Sequence, residues 1–401
     1  MAGRPQHSSR PRVLIAGGGV AGLEAMLALR DLAGDLAEVE LLAPRREFSY
    51  RPVAVGEPFG SGRVIDFDLE DLTARAGAGF RLGSAIAVDP DRRHVVVRDG
   101  NEIPYDHLLL APGTRMLWAV PGAVTFWGVA DEGGVADVMR GLREGELHRV
   151  VFTRPGGASW PLPAYELALL AGAELARAGV RDGATLTIAT PEDRPLGMFG
   201  LRASGQLAEL LAERGIEVVT RTHPVRFDSG LLHVAPGASI EADAVVSSPR
   251  IEGRRIAGVP HDRSGFVPVD DHGRVAGTER VFAAGDVTSF PVKQGGIAAQ
   301  QADAVAEAIA ADLGAEVEPR PFDPVLRAAL WTGERPRFLY GRLTGGHGDT
   351  STFGDHAAWE HEGKIVGRRL APFLDSIPGA ERPEAQSGRS GGLEAAEPSP
   401  T

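Results

Sequence analysis

Three glycines, Gly17, Gly19 and Gly22, stand in the spacing G-x-G-x-x-G. In that spacing the first glycine permits a tight turn and the second lets a backbone approach a pyrophosphate. The third packs a helix closely onto a strand. The flanking residues supply both elements. Val13, Leu14, Ile15 and Ala16 form an apolar run without a period, as a strand buried on both faces does. Leu23, Met26, Leu27 and Leu29 then recur at helical spacing. Strand, glycines and helix in that order set the positive end of a helix against phosphates, so the stretch reads as a dinucleotide site; the alternative is an empty turn. A second candidate is Asp286, which follows Phe282, Ala283, Ala284 and Gly285. A carboxylate just past a buried strand and a glycine is placed to accept from ligand hydroxyls, and its competing reading is a turn or helix-cap aspartate.

An acid about 20 residues past such glycines normally receives the adenosine ribose. Val39 to Leu42 read as the second strand, and the acid's place falls to Ala43. Glu40 is near, but alternation turns it to the opposite face. The ribose contact is left to backbone, Arg45 or Arg46.

The 401 residues are enough for about two or three domains with a large core. A net charge of −12 offers nucleic acid no basic field, which sets that class of partner aside. Cysteine is absent, which excludes disulfides, thiolate metal sites and cysteine relays. The polar, basic opening followed by an apolar run looks superficially like a signal peptide, but the glycines and the helical pattern account for it better. No run reaches the length of a membrane span, and a cytoplasmic protein is expected, with peripheral attachment at the inner face of a membrane left open.

Further along, residues 47–60 read as a loop, Arg92 to Arg98 as a strand, and Tyr105 to Thr114 as a buried strand ending in a Pro-Gly turn at Gly113. Residues 119–247 read as a second strand–helix–strand unit inserted into the first. Its strands are Arg149 to Phe152, Thr185 to Ala189, Glu217 to Thr220, Leu231 to Val234 and Ala242 to Ser247, and its helices Leu167 to Ala176 and Gln206 to Arg214. Gly22-Leu23-Glu24 and Ala164-Tyr165-Glu166 sit at equivalent helix starts, an internal echo. The echo fails at the glycine turn, where residues 154–163 read RPGGASWPLP. Prolines remove donors and an indole adds bulk where amides should cradle phosphates. His223, His233 and His261 are isolated, and no metal site is visible. Residues 319–378 are richer in aromatics, with a strand over Arg337 to Leu343 and a short amphipathic helix over Lys364 to Leu374 broken at Pro372. That helix suits packing on the protein body, or weak contact with a membrane surface. Residues 1–11 and 379–401 read as disordered tails.

The order GGGVAGLEA, YDHLLLAPGT and VFAAGDVTSFPVKQGGIAAQQA resembles the pyridine nucleotide-disulfide oxidoreductase superfamily of flavoproteins. Within it the resemblance is to the sulfide:quinone oxidoreductase and type II NADH dehydrogenase branch, without its cysteines. The resemblance implies an α/β fold of two doubly wound Rossmann-like dinucleotide-binding domains, the second inserted in the first, plus a small C-terminal cap. Residues 12–118 and 248–316 would form the FAD-binding domain, 119–247 an NAD(P)-binding-like domain and 317–378 the cap. Cofactor-binding residues would be Gly17, Gly19, Val20, Ala21, Gly22, Arg51, Gly113, Gly285, Asp286, Gly295, Gly296 and Ile297, with Asp286 on the ribityl chain. The helix starting near Gly295 would face the flavin pyrimidine edge, where its dipole and Lys293 would stabilise negative charge; Lys293 otherwise reads as a solvated surface lysine. Glu166 would face the flavin and shuttle protons; its competing reading is a helix-start carboxylate that complements the dipole.

The implied activity is two-electron transfer through FAD, from a small-molecule donor to a quinone or other small carrier. The altered turn disfavours NAD(P)H, yet an NAD(P)H dehydrogenase with Glu192 on a ribose stays in view. So does a flavin-binding protein without turnover, and a homodimer is compatible with each.

Overall fold

The computed structural model describes residues 10–128, 133–157, 159–343, 351–360 and 363–378. Both expected tails fall largely or wholly outside the described residues.

The first domain is a parallel sheet of five strands. Across the sheet their order is Val281–Ala283, His107–Leu110, Arg12–Ala16, Glu38–Ala43 and Gly79–Leu82. The apolar run at its centre has no period because both faces are covered. Val13 and Ile15 face the helices Val20–Ala33 and Gly295–Asp312, while Leu14 and Ala16 face an antiparallel meander of Ala85–Asp89, His94–Val97 and Glu102–Pro104.

The second domain repeats the plan. Val124–Thr125, Ala244–Ser247, Arg149–Thr153, Thr185–Ala189 and Ile216–Val219 form a parallel sheet, with its own antiparallel meander over residues 223–241. The chain enters and leaves this domain through one antiparallel ribbon, Thr114–Leu117 against Arg250–Gly253.

The cap is an antiparallel sheet of Val325–Leu330, Arg337–Arg342 and Ser351–Gly354. Glutamines of the long second helix tie it down. Gln300 exchanges two hydrogen bonds with the backbone of Val325, at 2.8 and 2.9 Å, and Gln294 donates to the Arg327 carbonyl at 2.7 Å.

Two local expectations change. Residues 47–60 are not a loop: Glu47–Tyr50 pairs with Ile65–Asp68, and Arg51–Phe59 forms a 3-10 segment. Only Leu370–Asp375 is helical in the C-terminal segment, and Pro372 lies in the first turn of that helix, where a missing N–H costs nothing. Residues 363–369 instead form an irregular strap. Lys364 and Arg369, expected on an amphipathic face, are turned onto carboxylates of the protein body. Among the described residues no helix is long and apolar enough to cross a membrane.

Candidate functional site

At the glycine turn, Gly17 adopts φ 140°, and a Cβ there would overlap the Ala111 carbonyl. A Cβ on Gly22 would overlap the carbonyl of Gly17, whereas one on Gly19 would meet nothing. The helix Val20–Ala33 therefore starts from a backbone turn that is tight inside and open outside. Gly19 is its N-cap and supplies no side-chain hydrogen bond, so the first amides keep their donors for an anion. Ala21 in this first turn meets Gly285, whose own Cβ would stand 2.9 Å from that of Ala21. The two motifs, more than half the chain apart in sequence, are one site in space.

Gly285 is fixed by its N–H, which donates to Gln301 Oε1 at 2.7 Å. Asp286, partly buried beside it, takes no hydrogen bond from the chain among the described residues and remains an available acceptor. Burial pushes its carboxyl above the usual range, against the opposing charge of Lys293. Lys293 is not a solvated surface lysine. It is 6% exposed, donates to the Thr288 carbonyl at 2.5 Å and lies 3.9 Å from the centre of the Phe266 ring. Burial lowers its pKa to about 8, and the charges of Asp286 and Asp262 act against that. Its ammonium is thus committed to local partners. Gly295 and Gly296 open the helix Gly295–Asp312, and Gln294 caps it by accepting from the Ile297 N–H at 3.0 Å.

Ala43 is buried against the glycine turn, with Gly18 directly over it. Glu40 faces away, as alternation requires, and pairs with Arg81 at 2.7 Å. Of the two arginines beyond the strand, Arg46 is taken by Glu70 at 2.7 Å. Arg45 has no carboxylate within ion-pair distance among the described residues, and its charge reaches Arg51 and Arg254. Half-buried Arg51 has its pKa lowered by burial and then by Arg45, and Arg254 by burial and then by Arg115 and Arg45. Four arginines, Arg45, Arg51, Arg115 and Arg254, thus lie within electrostatic reach of one another without an ion pair among the described residues, although the charge of Asp66 reaches Arg51.

Glu166, the fifth residue of the helix Leu162–Arg177, is fully buried. Its Oε1 accepts the Trp331 N–H at 2.8 Å and forms an ion pair with Lys364. Lys364 also lies 4.5 Å from the centre of the Trp331 ring. Burial drives Glu166 up and Lys364 down, and their mutual attraction opposes both shifts. The next residue, Ile365, packs on Gly295 and donates its N–H to the Tyr50 hydroxyl at 3.1 Å. Successive residues of one strap thus meet Glu166, through Lys364, and the amide end of the Gly295 helix, through Ile365. Sequence reading found Glu166 but missed Lys364, whose only signal was a lysine at the start of an apolar stretch.

In the second domain, the turn after Arg149–Thr153 is closed by its own side chains. Arg154 Nη1 donates to Ser159 Oγ at 2.6 Å and to the Pro155 carbonyl at 3.2 Å, while Trp160 stacks edge-on against Phe199. Pro161 and Pro163 stand at the helix start, so the amides that would cradle a diphosphate are missing. Glu192, past the strand Thr185–Ala189, accepts at Oε2 from Tyr165 at 2.8 Å and Thr190 at 2.9 Å. Burial raises its pKa; Arg154 and these hydrogen bonds lower it. Ala158 lies outside the described residues.

Two doubly wound domains, one carrying an intact glycine turn and a carboxylate acceptor, define a flavoprotein-type oxidoreductase architecture. The model of the pyridine nucleotide-disulphide oxidoreductase family matches residues 11–308, and the chain belongs to that family. It is 28% identical over 218 residues to a sulfide-quinone reductase of Aquifex aeolicus, a match covering 51% of this chain and 49% of that protein. With an NADH dehydrogenase-like protein of Mycobacterium tuberculosis the identity is 29% over 300 residues, 69% of this chain and 73% of the relative. With the ferredoxin–NAD(+) reductase subunit of a benzene 1,2-dioxygenase system of Pseudomonas putida it is 29%, over 76% and 75%. The solved sulfide:quinone oxidoreductase of Aquifex aeolicus superposes with a TM-score of 0.73 at 24% identity, covering 86% of this chain and 87% of that one, which establishes the fold. The cofactor is FAD. The open amides behind Gly19, the Asp286 carboxylate and the arginines, the latter two unpaired among the described residues, all suit a diphosphate with a polyhydroxyl chain.

Proposed function

We propose that this chain is an FAD-dependent oxidoreductase that passes two electrons from a donor other than NADH to a quinone or other small carrier. The observation that carries this reading is the buried pair of Glu166 and Lys364 beside the amide end of the Gly295 helix. When bound, FAD supplies the two-electron chemistry, and the chain must supply protons and exclude water. Glu166 and Lys364 are suited to that work. Burial pushes both toward their neutral forms while their mutual attraction opposes this, so the pair can hold one proton between Oε1 and Nζ. The Trp331 N–H fixes that oxygen, and Ile365 and the Trp331 ring keep water away. Gly17, Gly19 and Gly22 would hold the diphosphate and Asp286 the ribityl hydroxyls.

The turn at 154–163 argues against NADH as donor, because three prolines and the Arg154–Ser159 contact stand where a nucleotide diphosphate would need amides. A relative named for sulfide and quinone, and another named for ferredoxin, support an acceptor that is a quinone or small carrier. The second reading is an NAD(P)H dehydrogenase. Glu192 favours it, because it follows the second domain's strand where a ribose acid belongs.

Anaerobic titration with NADH and NADPH, following visible flavin absorbance, separates the two. The flavin should stay oxidised with both, bleach with dithionite and recover on adding a quinone. Fast stoichiometric bleaching by either nucleotide would establish the dehydrogenase instead.

A further inference from the structure

A cavity of about 400 Å3 lies where the second-domain turn, the FAD-domain segment before Lys293 and the cap meet. Arg154 and Ser159 line it from the turn, Phe290 and Val292 from the FAD domain, Met198 from the second domain and Leu343 from the cap. Ser159 bridges to Val292, so the altered turn is stitched to the FAD-domain wall. The lining is mostly apolar, and the volume is that of a small-molecule pocket.

Among the described residues Arg154 is the one charged residue in this lining. Its Nη1 is held by Ser159 and Pro155, but its Nε is buried without a hydrogen-bond partner among the described residues. Glu192 is within electrostatic reach but outside ion-pair distance, and its Oε2 is already bonded to Tyr165 and Thr190. A buried donor on a cation, beside a cavity, has given up water without gaining an acceptor. Arg154 itself lines the cavity, so an anionic oxygen there would be drawn to its guanidinium charge. Among the described residues the lining has no carboxylate for a ribose, and three of its members, Pro161, Pro291 and Pro324, have no amide to offer a diphosphate.

We infer that this cavity binds a small apolar molecule with one anionic oxygen group, an enolate or a carboxylate, seated on Arg154. The inference rests on the flavin-oxidoreductase reading and gives the chemical class of its non-nucleotide substrate.

The test uses FAD-loaded protein and isothermal titration calorimetry with 2-hydroxy-1,4-naphthoquinone, an enolate at neutral pH, and its neutral parent 1,4-naphthoquinone. The enolate should bind about tenfold more tightly, as a charge-assisted hydrogen bond to a desolvated guanidinium allows. Arg154→Leu should abolish that preference and leave the neutral compound's affinity within about twofold. Arg154→Lys should retain part of it, which guards against misfolding of the leucine variant. Met198→Trp should fill the cavity and weaken both compounds. Equal affinities in the parent protein, a preference that survives in Arg154→Leu, or displacement of the probe by NADH would overturn the inference. A protein that purifies colourless and takes up no FAD would instead sink the functional reading. A yellow, dithionite-reducible protein that binds neither compound would overturn this inference alone.

Discussion

Glu24 and Glu166 hold opposite ends of the same strap. Each is the fifth residue of the helix that follows a central strand of its domain, and each is buried. Glu166 takes Lys364 by charge, while Glu24 accepts the N–H groups of Arg369 and Leu370 at 2.7 and 2.8 Å. Gly367 lies against the Glu24 carboxylate, where a Cβ would overlap it. Arg369 completes the second anchor through Asp303 and Asp31, each at 2.8 Å. Equivalent positions in two repeated domains have thus become two ends of one clasp, and the strap between them covers the Gly295 helix start.

Removing one member of the Glu166–Lys364 pair leaves the other as an uncompensated buried charge. Glu166→Gln and Lys364→Met should each lower stability by roughly 3–5 kcal/mol, and the double variant should lose less than either. Urea unfolding of the three FAD-loaded proteins checks this. Equal losses in all three would show that the pair contributes only packing.

Glu24 sets a pH dependence at the other end. An exposed glutamate releases its proton near 4.5, but burial and the charge of Asp303 raise Glu24 to about 7, against Arg369 and the two amide bonds. The clasped state therefore binds the proton more tightly than the open one. Its contribution is full below about 4.5 and is lost as pH rises through about 7. Amide exchange at Arg369 and Leu370, corrected for intrinsic rates, should show strap opening favoured above pH 7. Glu24→Gln should flatten the profile.

These two anchors also show where sequence reading reaches its limit. The glycine turn was legible because Gly17, Gly19 and Gly22 act within one local unit. Asp286 was legible because it ends a recognisable strand. Lys364 meets Glu166 across 198 positions of sequence, and no spacing announces such a pair. Glu24 is hidden in an apolar helical pattern because its partners are backbone amides, which every residue has. The 3-10 segment Arg51–Phe59 looked like a loop because its prolines and glycine suit both. The C-terminal amphipathic pattern failed for a related reason: its basic residues answer buried carboxylates rather than solvent.

The two glycine turns should respond differently to substitution. Gly17→Ala forces a Cβ into the Ala111 carbonyl and requires a backbone conformation that alanine avoids. Absorbance at 450 nm relative to 280 nm should show most of the FAD lost. Gly157→Ala meets open space, although its φ of 98° also disfavours a side chain. That variant should lose stability modestly and keep its FAD. Loss of FAD from Gly157→Ala would place the cofactor on the wrong domain.

FAD binding should also depend on salt, and more steeply than one helix terminus would require. The second strand ends in Ala43 rather than an acid, and Arg45, Arg51, Arg115 and Arg254 gather beyond it without an ion pair among the described residues, Asp66 acting on Arg51 only at longer range. Two of them have lowered pKa values because burial and like charges oppose ionisation, a cost that an anionic ligand relieves. Exposed members of the group are screened by salt, and half-buried Arg51 less so. Apo-protein titrated with FAD should bind several-fold more weakly at about 0.5 M salt than at 0.05 M, with the Debye length falling accordingly. Arg51→Gln should weaken binding about tenfold at low salt and reduce the salt dependence. Ala43→Glu should weaken it too, because the new carboxylate would neutralise the arginines instead of adding a ribose acceptor. Tighter binding by Ala43→Glu would show that the arginines leave the ribose position free.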